Sequence, residues 1–355
     1  MLFILCLITI SSTALAQSFQ MPPCAQSCLT EVFTMGTCSP TDFECTCTNP
    51  RFQSDIELCD TSECSIIEAL SMCAWSYWRN YLLIPLIAAK NISLTLCGAP
   101  VRDRGPQYLV MTHTLFFLSL GFTLLRFGYR FGVARIEFGY DDLCAFAAFL
   151  SIIPCEFLIA LGAVNNGLGK DIWTLRPDQT TKMLKFFYVL AVLYSPHIAF
   201  IKMSLLFFYL RLFVDTIVQR ILWASIIFTG LWGTVYSLVF VFQCRPVHYF
   251  WKQWDGSHQG TCLNFSAIID SQAAINIALD FWILGIALWQ LRGLQATWQK
   301  KTGIGFMFMV GFFITIVTMI RLKAVNDFAF TKNPTWDFYE SSVWTELEMC
   351  VGVIW

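Results

Sequence analysis

Six stretches of this chain, residues 107–129, 141–164, 184–210, 221–243, 264–291 and 303–325, are apolar over lengths that few soluble folds tolerate. A helix crossing the hydrocarbon core needs ~20 mostly apolar residues, and each stretch supplies them. Lipid offers backbone N–H and C=O groups no partners, so segments of this length are helices. Transmembrane strands would alternate polar and apolar residues, which these do not. A seventh stretch starts near residue 341 and reaches Trp355 after fewer residues than a span needs, so the last helix reads as truncated. Charged residues are only 13% of the 355, and mean hydropathy is +0.59. The formal net charge of −1, with no basic stripe, excludes nucleic acid as a partner. The expected fold class is all-α, with residues 107–355 forming a seven-helix bundle in contact with membrane lipid.

The front of the chain has another character. "MLFILCLITISSTALAQ" has a short apolar run followed by small residues, the form of a secretory signal over residues 1–16 cut after Ala16; an uncleaved anchor is the alternative. Residue 17 onward then lies outside the cytosol, where disulfides persist. Cys24, Cys28, Cys38, Cys45, Cys47, Cys59, Cys64, Cys73 and Cys97 follow closely. Zinc is a poor explanation, because no histidine precedes His113. The cysteines form a disulfide scaffold, with one left over from nine.

The ordered string P-C-A-x2-C-x9-C-x6-C-x-C-x11-C-x4-C, from Pro23 to Cys64, resembles the fungal CFEM domain, an eight-cysteine extracellular module of surface and membrane proteins. The domain is expected over residues 17–106. The family spacing to the eighth cysteine fits neither Cys73, with eight residues between it and Cys64, nor Cys97, with thirty-two between. Treating residues 72–89 as an insertion makes Cys97 the eighth and leaves an even number; closure at Cys73 is the rival. The resemblance gives no pairing. It does imply a role for Asp42, three residues before Cys45: an axial ligand to ferric haem, since a carboxylate is a hard ligand. "SPTD" is equally a turn signal, and Asp42 as a helix cap is the plain alternative.

"KMSLLFFYLRLF" (202–213), "KKTGIGFMFMVGFFITIVTMIRL" (300–322) and "WTELEMCVGVIW" (344–355) resemble the fungal rhodopsin-like seven-helix family, which includes pathogenicity receptors carrying a CFEM domain in front. With the cysteine-rich head outside, the loops holding Arg126, Arg130 and Arg135, then Arg211 and Arg220, then Arg292, Lys300 and Lys301 face the cytosol, a weak positive-inside bias. The location implied is the plasma membrane. Asn91-Ile92-Ser93 is an outer glycosylation sequon, and Cys244 and Cys262 bracket an outer loop that a disulfide can close. Asp141 and Asp142 start the second span and read as a cap on the helix dipole rather than a site.

Ionisable side chains within membrane spans are costly and mark candidate sites. Glu156, Lys202, Asp280 and Arg321 are such residues, with Glu346 and Glu348 at the start of the seventh span. Lys202 and Asp280 have opposite charge and read as an interior pair. Snorkelling is the alternative for Lys202, which stands nine residues before Arg211, about 13 Å along a helix. His197, after Pro196, reads as a structural residue at a kink. No G-x-S-x-G, H-E-x-x-H or P-loop is present, so an enzyme is not expected. Two functions are expected. One is a receptor-like surface protein that senses an extracellular ligand and signals to a heterotrimeric G protein, the partner implied by the family. The other is a haem or iron-binding surface protein anchored by its bundle.

Overall fold

The computed structural model describes residues 23–63, 100–134, 137–256, 258–291, 298–329 and 333–354. The chain divides into two compact units, a head up to Arg102 with short segments 171–178 and 252–258, and a helical bundle that begins at Asp103.

The head contains α1 (Pro23–Thr34), α2 (Phe43–Thr48) and α3 (Pro50–Glu63). Proline opens α1 and α3, where its missing N–H costs nothing. Gly36 follows α1 at φ +77°, a conformation that terminates helices and disfavours a Cβ. Asp42 caps α2, its carboxylate accepting from Cys45 N at 3.0 Å, and Asn49 Oδ1 accepts from Arg51 N at 3.0 Å to start α3. The apolar core is small: Val32, Cys38 and Phe52 are buried, with the Phe33 and Phe52 rings 5.3 Å apart. Covalent bonds supplement it. Cys28–Cys59 joins α1 to α3, and Cys38–Cys45 ties the intervening loop to α2. Cys24 and Cys47 are disulfide-bonded as well. Cys64, Cys73 and Cys97, the sequon at Asn91, the signal at 1–16 and the insertion at 72–89 lie outside the described residues.

The bundle is built from α4 (Gly105–Gly128), α5 (Tyr140–Phe157), α6 (Pro177–Leu212), α7 (Thr216–Val241), α8 (Phe265–Leu291), α9 (Trp298–Ala329) and α10 (Pro334–Ile354). The first five are long and apolar enough to cross a membrane. Large side chains such as Phe117, Leu125, Phe157, Leu231 and Trp289 point out of the bundle, where lipid replaces water. α5 carries Pro154 in its interior and passes into a π-helical turn, Leu158–Ala163. Proline removes one ladder donor, and a local change of pitch lets neighbouring carbonyls find other partners. At 36 residues, or ~54 Å, α6 is longer than the hydrocarbon core is thick. Its first turns, "PDQTTK", are accordingly polar.

Small residues let helices approach closely. A Cβ added at Gly233 of α7 would lie 2.5 Å from the Ala199 Cβ of α6, so the two backbones are as near as glycine permits. Beyond α7, β1 (Cys244–Arg245) and β2 (Thr261–Cys262) pair antiparallel with Cys244 opposite Cys262, and a disulfide joins them.

The last helix corrects the sequence reading. It begins at Pro334 rather than near 341 and has 21 residues. Pro334 opens it, and Asn333 O accepts from Trp336 N and Asp337 N, both at 3.1 Å. Asp337 and Glu340 lower the hydropathy of these turns and hid them from a purely apolar criterion.

Candidate functional site

Where α4, α6 and α10 begin and α7 and α9 end, the bundle contains a cavity of about 80 Å³. Its wall is mainly aromatic and aliphatic, with Tyr108, Phe187, Tyr194, Phe240, Phe265 and Phe338 prominent. Polar groups are few: Gln272, Arg321, Ser341, Ser342, Thr345 and Glu346. They come from α8, α9 and α10, so helix packing positions them.

From this wall a buried polar network leads into the bundle. Arg321 of α9 donates from Nε to Thr345 Oγ1 at 2.9 Å and from NH1 to the Tyr194 hydroxyl at 2.7 Å. Its guanidinium carbon lies 4.0 Å over the Tyr194 ring. Glu348 of α10 is the hub. One oxygen accepts from the Tyr194 hydroxyl at 2.9 Å and stands 3.7 Å from Arg321. The other accepts from Asn276 Nδ2 at 3.0 Å and Thr318 Oγ1 at 2.9 Å. The Asn276 carbonyl in turn accepts from Lys202 Nζ at 3.2 Å, and Lys202 is ion-paired with Asp280. Four helices, α6, α8, α9 and α10, are thus connected by buried polar groups, where a lost partner is costly.

Of the intramembrane residues named from sequence, the structure brings Lys202 and Asp280 together and ties Arg321 into the same network. Lys202 is 5% exposed, so its ammonium faces the interior and does not snorkel. Glu156 stands apart, bonded through one oxygen to His113 Nδ1, while its other oxygen is buried without a hydrogen-bond partner among the described residues. His197 joins three helices: Nδ1 meets Ser151 Oγ at 2.7 Å, and Nε2 meets the Met349 carbonyl at 3.3 Å. That is a packing role. Asp42 is exposed and occupied as the α2 cap, with its Oδ1 engaged by Cys45 N.

Asp141 and Asp142 do more than cap a helix. Asp142 does cap α5, accepting weakly from Gly139 N at 3.3 Å. Both carboxylates are also buried against arginines: Arg130 bonds to each, Arg126 lies 3.6 and 3.5 Å away, and Arg211 is 4.0 Å from Asp141. Ser204 Oγ adds a bond to the Asp141 carbonyl at 2.7 Å. This cluster unites α4, α5 and α6 at the end of the bundle opposite the cavity. The arginines had served in the sequence reading only to orient the chain. Tyr194, Asn276, Thr318 and Gln272 were also missed; lone polar residues within an apolar span were their only signal.

Comparison with known proteins matches the fungal rhodopsin domain to residues 125–355 and the CFEM domain to residues 17–77. Satratoxin biosynthesis SC1 cluster protein 4 of Stachybotrys chartarum is 29% identical over 163 residues, 46% of this chain and 58% of that protein. The SAT4 family membrane protein of Emericella nidulans is 27% identical over 204 residues, 56% of this chain and 52% of its own. Wortmanamides biosynthesis cluster protein C of Talaromyces wortmannii is 24% identical over 249 residues, 68% and 66% of the two chains. The chain therefore spans little more than half the length of the first two relatives. No solved structure matches it.

Proposed function

The chain belongs to the fungal rhodopsin domain family, as a membrane protein with a CFEM domain in front, and within it we propose a receptor-like surface protein. In this reading the head stands outside the plasma membrane, a small-molecule cue occupies the bundle cavity, and occupancy shifts the bundle between two packings. One observation carries it: the cavity wall and the Lys202–Asp280 pair are joined by an unbroken series of contacts through Arg321, Tyr194, Glu348 and Asn276. A ligand that repositions Arg321 changes what Glu348 can accept, and so which arrangement of α6, α8 and α10 is lower in free energy. Only a difference in ligand affinity between those arrangements can produce a signal. The partner we propose is a heterotrimeric G protein, meeting the bundle at Arg211 and the segment from Arg292 to Lys301; no catalysis is assigned. The test is Asp280→Asn in cells with a second-messenger reporter. Loss of the cue-dependent response at unchanged surface level supports the reading, and a full response removes the network from it.

Haem binding by the head is the second reading, favoured by one observation. Asp42 is exposed, and its position is fixed by the α2 cap and the Cys38–Cys45 bond, with only Oδ1 engaged. Such a residue can offer its free oxygen to ferric iron. Titration of haem into the purified full chain is expected to shift the Soret band, and Asp42→Ala to abolish the shift. Identical spectra for both proteins would count against it.

A further inference from the structure

The cavity presents two formal charges in unequal circumstances. Arg321 is matched: it bonds to Tyr194, stands 3.7 Å from Glu348, and has its face covered by an aromatic ring. Glu346 is not. Its Oε1 accepts from Cys350 Sγ at 3.3 Å, and a thiol is a weak donor. Among the described residues no lysine, arginine or histidine lies within 4.0 Å of its carboxylate. The charged neighbour acting on it is another acid, Glu156. Glu346 is only 2% exposed, and it lines the cavity. Aromatic rings stand around the same space, with Phe187 and Phe338 4.4 Å apart and Phe187 and Phe265 5.8 Å apart.

We propose that the cavity takes a lipophilic amine, its ammonium on Glu346 and its apolar body against Phe187, Phe265 and Phe338. This deepens the reading of the cavity as a ligand site and rests on it. A buried carboxylate without a cation is costly, and an ammonium that donates to it removes that cost only while bound. Aromatic faces attract the same cation through their quadrupoles. A carboxylate ligand would compete with Glu348 for Arg321 and be repelled by Glu346. An alcohol would gain a hydrogen bond but no charge pairing. The surplus acid therefore selects the sign of the ligand, and the apolar wall selects its body.

The test uses the purified full chain in nanodiscs and a panel of arylalkyl amines, each matched by its alcohol and its carboxylate. Binding is measured by equilibrium dialysis and corrected with empty nanodiscs. Charged hydrogen bonds predict that the amines bind at least about tenfold more tightly than their alcohols, with the carboxylates weakest. Glu346→Gln is expected to bring amine and alcohol within about twofold, and Glu346→Asp to keep part of the preference. Should Glu346→Gln fail to fold, the ranking on the wild-type protein decides alone. Preference for the alcohols, the result for a proton-holding Glu346, overturns the amine assignment while the cavity reading stands. Preference for the carboxylates does the same and moves the anchor to Arg321. No binding by any member to folded protein overturns both.

Discussion

In the head, the buried apolar core among the described residues is Cys28, Val32, Cys38 and Phe52, whereas the bundle buries several clusters, one of them running from Ala148 to Val353. Disulfides, Cys28–Cys59 and Cys38–Cys45 among them, offset the head's small core. By loop length, Cys28–Cys59 contributes about 3.7 kcal/mol and Cys38–Cys45 about 2.4 kcal/mol on the chain-entropy account. The bundle keeps Cys155 and Cys350 free and buried, and holds its helices by close packing and interior polar pairs. Small domains in water lack area to bury, so they rely on covalent constraint. Helices in lipid have area to spare but gain little from hiding it, so packing and polar contacts govern their association.

The difference can be tested most strongly by reduction. Dithiothreitol is expected to make residues 23–63 rapidly protease-sensitive while the helical circular dichroism of the bundle persists; equal loss in both would erase the distinction. The next effect is in the bundle. Lys202→Met leaves the Asp280 carboxylate buried and uncompensated, at a cost of about 3–5 kcal/mol. Lys202→Met combined with Asp280→Leu should recover most of it, as thermal unfolding in mild detergent would register. Arg130→Ala, which strips bonds from both Asp141 and Asp142, is expected to cost about 1.5–3 kcal/mol by the same assay. The smallest change is Asp42→Ala, about 1 kcal/mol from loss of the α2 cap, read as a lower reductant threshold for proteolysis of the head. Asp42→Asn, which still caps, should restore the threshold.

Hydropathy and cysteine spacing made the membrane helices and the head legible in the sequence. Both are local: a run of apolar residues needs lipid wherever its neighbours lie, and cysteines this dense have partners within reach. Residue type alone also marked Glu156, Lys202, Asp280 and Arg321 as expensive. Their partners were another matter. Tyr194 and Glu348 are 154 residues apart, Lys202 and Asp280 are 78 apart, and only the rotation of each helix about its axis decides whether they meet. The same holds for Asp141 and Asp142, whose burial depends on arginines from α4, from the π-helical turn Tyr129–Ala134 after it and from α6. Cysteine pairing and the start of α10 likewise waited on three-dimensional placement. Free energy of transfer is a sum along the chain, whereas pairing energy belongs to distances between segments that the chain brings together only on folding.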